Sequence, residues 1–366
     1  MEGNAKTELA RVLRVDASRY KRLVAVSDIH GNGHLLERLL GELDFSEEDA
    51  LFLLGDFIER GRNSLATMRL VMRLCAAGNA FALQGNCDTL WDDLAAGLYR
   101  VDVNAYIDWR RDSLLADMCF ELGLERNDML PRELRAALDE AYADVFSWLR
   151  ELPHIIDTEG ATFVHAGLDE GPLDRQNAER CLRREAFLEE ELRFPKPVIC
   201  GHIPICNYFN MTGNRLSFQP LFLPEKNMLA IDGGNAVKKY GQLNALVLAG
   251  GNMSFICTDD LPEAAVCGAQ EASAAPSSVA WNHREVEMLE EREQSALCRV
   301  KFTGMALEIP KSALFREEGR LCSYDHTDYK LSVAPGERVR LLEKGGADSL
   351  VKRNGVIGWV NSRLLT

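Results

Sequence analysis

Six short apolar runs along the chain each stop at a polar residue of metal-binding or catalytic type. Val24-Ala25-Val26 leads to Asp28-Ile29-His30-Gly31, and Ala50 to Leu54 leads to Gly55-Asp56. Phe81-Ala82-Leu83 leads to Gly85-Asn86-Cys87-Asp88, and Ala161 to Val164 leads to His165. Val198-Ile199-Cys200 leads to Gly201-His202, and Met228 to Ile231 leads to Asp232. Runs rich in β-branched residues without alternation read as strands buried on both faces. The segments His34–Asp44 and Ser64–Ala77 carry apolar residues at helical spacing, so helices join the strands. In such sheets ligands bind beyond the carboxyl ends of the strands, which would bring the distant polar residues together.

Composition narrows the function classes. A net charge of -14 argues against sequence-independent binding to nucleic acid or to an anionic membrane. The stretch Met1–Tyr20 has no apolar leader core, and no run is long enough to span a bilayer. Ten cysteines are scattered without a C-x-x-C pair, which fits reduced thiols in a cytoplasmic protein.

The chemistry lies in the strand-end residues. Asp28 and His30 alone could be a capped turn, but the same grammar recurs with Asp56, Asn86, His165 and His202. Such a mixed carboxylate, imidazole and amide set suits two first-row divalent ions, manganese first and iron or zinc as alternatives. Two such ions can clamp a phosphoryl oxygen and acidify a water between them. Asp56 is the natural bridge. Arg60, on the same loop, carries a planar fork suited to phosphate oxygens.

Asp28-Ile29-His30-Gly31, Gly55-Asp56-x-x-Glu59-Arg60-Gly61, Gly85-Asn86, His165-Ala166-Gly167 and Gly201-His202 resemble, in this order, the calcineurin-like metallophosphoesterases. Within them the order is similar to the serine/threonine phosphoprotein phosphatase branch, which includes bacterial diadenosine tetraphosphate hydrolases. Ile231-Asp232-Gly233-Gly234, Tyr240-Gly241-Gln242-Leu243 and Trp148 to Pro153 fit the same pattern. The resemblance implies a four-layer α/β/β/α sandwich. It implies one metal site of Asp28, His30 and Asp56 and a second of Asp56, Asn86, His165 and His202. It also implies phosphate clamps at Arg60 and at Arg184, with Arg183 the alternative, and a substrate pocket of Tyr240, Cys87 and Asp88. Arg184 could equally lie on a solvated face, and Tyr240 could be simple core.

The pattern departs from that branch at one functional point. A His after the Asn, paired with an Asp, is the branch's presumed general acid; here Cys87 and Glu59 stand there. A thiol with a pKa near ~8.5 is a poor proton donor at neutral pH. Protonation of the leaving group would then come from water, Asp88 or the substrate, and phenols or phosphoanhydrides would suffer least. Pro204, two places after His202, separates the chain from small phosphodiesterases that carry a second His there.

The expected organisation is a metallophosphoesterase domain over 1–258 with a helical insert at 89–150, which could be a lid or a partner surface. Pro131 would break the insert. An Ala/Ser/Pro-rich linker follows over 259–280, then small all-β barrels over 281–318 and 319–366. Val286–Glu290 and Leu297–Val300 recur as Val339–Glu343 and Leu350–Arg353, a degenerate repeat. The last segment resembles a Src-homology-3-type barrel, although Leu364 stands where an aromatic is common; docking on the core, or another ligand or protein partner, is expected rather than a proline-rich peptide.

The expected activity is hydrolysis of phosphate monoesters, with phosphoproteins among the candidate substrates. The alternatives are a dinucleoside polyphosphate or phosphodiester hydrolase, and a catalytically weak scaffold.

Overall fold

The computed structural model describes residues 8–366; the first seven, part of the stretch read above as lacking a leader core, lie outside them. The chain divides into two compact units, one running up to Ile203 and resuming over Pro220–Thr258, the other made of Pro204–Gln219 and Asp259–Thr366. The excursion 204–219 corrects the unbroken domain expected over 1–258.

The first unit holds strands β1 (Val12–Arg14), β2 (Arg22–Val26), β3 (Asp49–Leu53), β4 (Ala80–Ala82), β5 (Ile155–Asp157), β6 (Thr162–Val164), β7 (Val198–Cys200), β8 (Leu221–Leu223), β9 (Met228–Ala230), β10 (Leu243–Ala249) and β11 (Asn252–Thr258). They form a six-stranded sheet ordered β1-β5-β6-β7-β9-β8 and a five-stranded sheet ordered β11-β10-β2-β3-β4. Strands β2, β3 and β4 run parallel, joined by helices α1 (Gly33–Glu42) and α2 (Ser64–Ala76). Parallel strands need such crossovers.

The absence of alternation has the expected cause. Val24, Val26, Leu51 and Leu53 pack with Leu35, Leu36, Leu39, Met68 and Val71 of the helices. Ala25, Ala50 and Phe52 face the other way and meet Ile156, Phe163, Ile199 and Leu229 of the six-stranded sheet. The Phe52 and Phe163 rings stack at 4.2 Å and 8°. Both faces of β2 and β3 are thus dry, as the α/β/β/α sandwich requires.

The insert folds as α3 (Leu90–Ala95), α4 (Val103–Trp109), α5 (Leu114–Leu122), α6 (Pro131–Ala141) and α7 (Ala143–Glu151). It is not a loose lid. Leu115, Met118, Leu134, Leu138 and Phe146 join the same core as α1 and α2. Trp91 stacks on Phe146 at 4.5 Å and its Nε1 donates to Asp139 at 2.7 Å. Pro131 opens α6 rather than breaking the insert, because a first helical residue needs no N–H partner. Helix α8 (Ala178–Arg183) lies in the connection from β6 to β7.

The second unit is built of short antiparallel sheets. Its strands are β12 (Glu263–Ala265), β13 (Ser278–Val279), β14 (Val286–Glu291), β15 (Ser295–Val300), β16 (Ala306–Pro310), β17 (Leu314–Glu317), β18 (Arg320–Ser323), β19 (His326–Thr327), β20 (Arg338–Glu343), β21 (Asp348–Arg353) and β22 (Val356–Asn361). The repeat is visible as two meanders, β14-β15-β16 and β20-β21-β22, each followed by one 3-10 turn. Their first pairs slip register at equivalent places, between Met288 and Glu290 and between Leu341 and Glu343.

Two boundaries are corrected. The expected linker 259–280 contributes β12, paired with β20, and β13, paired with β19. Ala264, Val266 and Val279 are buried there, so a small-residue composition concealed packed strands. The expected boundary at 318/319 falls in the turn between the paired strands β17 and β18, where Glu318 and Gly319 both have positive φ.

Candidate metal centre

Strand ends β2, β3, β6 and β7 and the turn after β4 deliver the predicted donors to one place. Ligand atoms of Asp28, Asp56 and His165 lie within 4.8 Å of one another, as do those of His30, Asp56 and Cys87. Asp56 belongs to both groups. His30 Nε2 stands 3.8 Å from Asp28 Oδ1 and 3.7 Å from Asp56 Oδ2, and His165 Nε2 stands 3.5 Å from Asp56 Oδ1. Asn86 Oδ1 is 3.0 Å from His165 Nε2. His202 completes the ring: its amide donates to Asp28 Oδ2 at 3.0 Å, and its imidazole lies 5.0 Å from that of His165.

The backbone orients these groups at a cost. Asp28, His30, Asp56, Glu59, Arg60 and His202 all have φ between 46° and 70°, a region non-glycine residues seldom occupy. Close loop approach explains two glycines. A Cβ on Gly61 would stand 1.9 Å from the His30 carbonyl oxygen, and one on Gly201 would stand 1.7 Å from Ser27 Oγ. Second-layer bonds set the imidazoles. His30 Nδ1 faces the Ile58 carbonyl at 3.1 Å and His165 Nδ1 the Leu54 carbonyl at 2.8 Å, which leaves Nε2 for a cation. Asn235 Nδ2 donates to the Ile29 carbonyl at 2.7 Å and its Oδ1 accepts from Asn32 Nδ2 at 3.1 Å, pinning the first loop. Asn235 was not singled out from sequence; its place just after Asp232-Gly233-Gly234 was the available signal.

The electrostatics suit cations. Burial pushes Asp56 up, but His165 and His30 outweigh it and hold its carboxyl at about 2. Burial raises Asp28, with Asp56 adding to the effect. Asp232, 1% exposed, lies behind them with Oδ2 unpartnered, and burial beside Asp28 lifts it well above the carboxylate range. Burial and the charge of His165 lower His202 to about 3. A pocket of buried carboxylates is costly without positive charge, and a donor set of carboxylates, imidazoles and an amide fits divalent ions.

The remaining predicted residues part company. Arg60 is exposed at the rim of the loop, and against the effect of burial the nearby Cys87, Asp56 and Asp28 raise its guanidinium pKa. Cys87 is buried, and burial with Asp56 nearby raises its thiol well above the ordinary value. Asp88 is no pocket residue: its oxygens accept the amides of Asp56 (2.8 Å), Phe57 (3.0 Å) and Gly85 (2.8 Å), stapling two metal loops. Arg184 is corrected as well. Its fork grips Glu190 at 2.6 and 2.5 Å, with Leu168 O at 2.6 Å and Asp169 at 3.0 Å. The alternative, Arg183, is the one beside the centre: its Nη2 reaches Asp93 at 2.6 Å, Thr89 Oγ1 at 2.8 Å and the Asn86 carbonyl at 3.5 Å. Tyr240 is half-buried in the loop after β9 with Lys239 Nζ 4.7 Å over its ring.

Glu59 does not pair with Cys87. Its Oε2 accepts from the Tyr106 hydroxyl at 2.6 Å and its Oε1 from the Leu114 amide at 2.9 Å, both in the insert. Burial raises this carboxyl to about 7 against those two bonds. The sequence held no signal for the pairing, since its partners lie in a distant segment.

Known proteins are similar to this chain in sequence. Residues 21–231, more than half of the chain, match the family described as Calcineurin-like phosphoesterase. A symmetrical bis(5'-nucleosyl)-tetraphosphatase of Ralstonia nicotianae is 30% identical over 171 residues, 47% of this chain and 49% of that protein. The corresponding protein of Nitrosococcus oceani is 32% identical over 171 residues, 46% of this chain and 51% of its own length. Serine/threonine-protein phosphatase 2 of Salmonella typhimurium is 40% identical over 65 residues, 18% of this chain and 30% of that protein. The chain thus spans about half the length, or less, of these curated relatives. A solved putative diadenosine tetraphosphatase superposes with a TM-score of 0.46 at 22% identity, covering 69% of this chain and 99% of that one. On the family match, and with its donors gathered at one pocket, the chain belongs to the calcineurin-like phosphoesterases.

Proposed function

We propose that the protein is a two-metal phosphoesterase that acts best on phosphoanhydrides, with nucleoside polyphosphates as the substrate class. The observation that carries this is the acid position. Cys87, a buried thiol rather than an imidazole, stands there, and the carboxylate beside that loop, Glu59, is committed to Tyr106 and Leu114 instead of orienting a proton donor. Without a positioned acid the leaving group must depart unprotonated. A nucleoside phosphate, whose last pKa is near ~6, does so readily, while a serine alkoxide does not.

Asp28, His30 and Asp56 would hold one cation, and Asp56, Asn86, His165 and His202 the other; manganese is the first candidate. When bound, such a pair polarises phosphoryl oxygens and supplies a nucleophile from water at neutral pH. Arg60 presents its fork to the phosphate, and Arg183 takes the role the sequence reading gave first to Arg184. The Ile58 and Leu54 carbonyls, facing Nδ1 of His30 and His165, leave Nε2 of each ring turned to the pocket. The relatives named as bis(5'-nucleosyl)-tetraphosphatases favour the anhydride reading.

Monoester hydrolysis, the first reading from sequence, stands second, and the relative named as a serine/threonine phosphatase favours it. No helix among the described residues is long and apolar enough to cross a membrane, and a cytoplasmic setting is retained as part of the proposal. The β20-β21-β22 meander and its 3-10 turn support the Src-homology-3-type reading of the last segment.

The test is a manganese-supplemented comparison of a dinucleoside tetraphosphate, p-nitrophenyl phosphate and a phosphoserine peptide. The anhydride and the aryl ester should turn over, and the peptide should be slow. A peptide rate equal to the anhydride rate would sink the proposal; no turnover of anything would leave the scaffold reading.

A further inference from the structure

Three aromatic side chains of the insert form a ladder that starts at the metal loop and ends at the surface. Tyr106 is its fixed middle, 2% exposed and hydrogen-bonded to Glu59, the neighbour of Arg60. Tyr99 meets its ring edge-on at 5.2 Å and 73°. Trp109 meets the same ring at 5.8 Å and 80°. Tyr99 is half-buried beside the centre: burial, with Cys87, Asp93 and Glu59 around it, pushes its phenol up to about 12, and Arg183 is close as well. Trp109 is 64% exposed, with Arg110 Cζ 4.6 Å from its ring. Leu98 and Val101, in the loop between α3 and α4, are also exposed.

A lone exposed apolar side chain needs no explanation. This one differs because its ring is packed, through Tyr106, onto the loop that carries the phosphate clamp. Rings held in place lose little freedom when a flat ligand stacks on them, and a nearby guanidinium favours both stacking and phosphate. Trp109 reaches Glu59 through one ring contact and one hydrogen bond, both made by Tyr106. It suits a ring separated from the reacting phosphorus by further phosphates and a ribose, rather than a phenyl group attached to that phosphorus directly.

We propose that Tyr99 and Trp109 form a subsite for the nucleobase of a nucleoside polyphosphate whose phosphate chain lies on the metal centre. The assignment rests on the phosphoanhydride reading above and adds the residues that would select a nucleoside.

Calorimetric titration of the manganese-loaded protein tests it with the non-hydrolysable methylene analogues of ADP and of ribose 5-diphosphate, named below by their parents, which differ only in the base. The wild type should prefer ADP by roughly 5–150-fold, the span that base–aromatic stacking supplies. Trp109→Ala and Tyr99→Ala should each narrow that preference at least about fivefold, while Trp109→Phe and Tyr99→Phe keep most of it. Equal binding of the two ligands by the wild type would overturn the proposal. So would variants that weaken both ligands alike, or phenyl phosphate binding as tightly as ADP. If dinucleoside tetraphosphate is not hydrolysed although the base preference and its loss are seen, the proposed activity fails and the subsite stands.

Discussion

The Glu59 carboxylate accepts the Tyr106 hydroxyl at 2.6 Å across 47 residues of sequence, and it takes the Leu114 amide at 2.9 Å as well. One side chain of the metal loop thus ties down two helices of the insert. Tyr106→Phe keeps the ring but removes the donor, leaving a buried carboxyl half satisfied. Stability should fall by about 1–3 kcal/mol, and proteases should cut the insert faster. Denaturant titration and limited proteolysis measure both; a variant as stable and as resistant as the wild type would mean that the bond does not hold the insert.

Cys87 occupies the acid position. Cys87→His should speed hydrolysis of alkyl phosphates by no more than about tenfold, short of the ~10²–10⁴ of a well-positioned acid, because Glu59 is not free to orient the ring. Rates across alkyl, aryl and anhydride substrates check this. An increase on all three alike would show that the change acts elsewhere than on the leaving group.

Asp56 belongs to both ligand groups. Asp56→Asn should therefore lower metal content below two ions per chain and cut turnover by roughly 10²–10³-fold or more. Elemental analysis beside kinetics reads both, and chelation of the wild type should reproduce the loss. Full loading with unchanged turnover would remove Asp56 from the bridging role.

Arg184 and Arg183 should separate stability from catalysis. Arg184, its side chain 5% exposed, is held by Glu190, Asp169 and the Leu168 carbonyl. Arg184→Gln should cost about 1–3 kcal/mol of stability. Arg183→Ala should instead raise KM. Thermal melts with Michaelis kinetics discriminate; an Arg184→Gln protein that melts like the wild type but binds substrate poorly would restore the sequence reading.

His154 should make stability depend on acid. It is 3% exposed, its Nδ1 accepts the Arg11 amide at 2.9 Å, and burial with Arg11 nearby lowers its pKa to about 4. The unfolded chain takes up this proton near the ordinary pKa of about 6.5, whereas the folded chain refuses it until near 4. Stability is therefore complete above about 6.5 and is lost as pH falls towards 4, by at most roughly 3 kcal/mol. Urea midpoints of wild type and His154→Gln from pH 7 to 4 should converge or cross as the wild type loses ground. Parallel curves would show that His154 does not carry the effect.

Local pattern alone determined six strands of the first unit and their polar ends, because a buried strand followed by a turn leaves its mark within about ten residues. The repeat in the second unit was legible for the same reason: burial on one side imposes matching apolar spacing. Tertiary structure decided what no spacing encodes. The partners of Glu59 and the fork that holds Arg184 are set by which segments come to lie side by side. The small-residue stretch 259–280 becomes strand only because other strands supply its hydrogen bonds and cover Ala264, Val266 and Val279. Left-handed φ values at Asp28, His30 and Asp56 likewise arise where packed loops overrule local preference, and those strained residues bring their side chains together in the pocket.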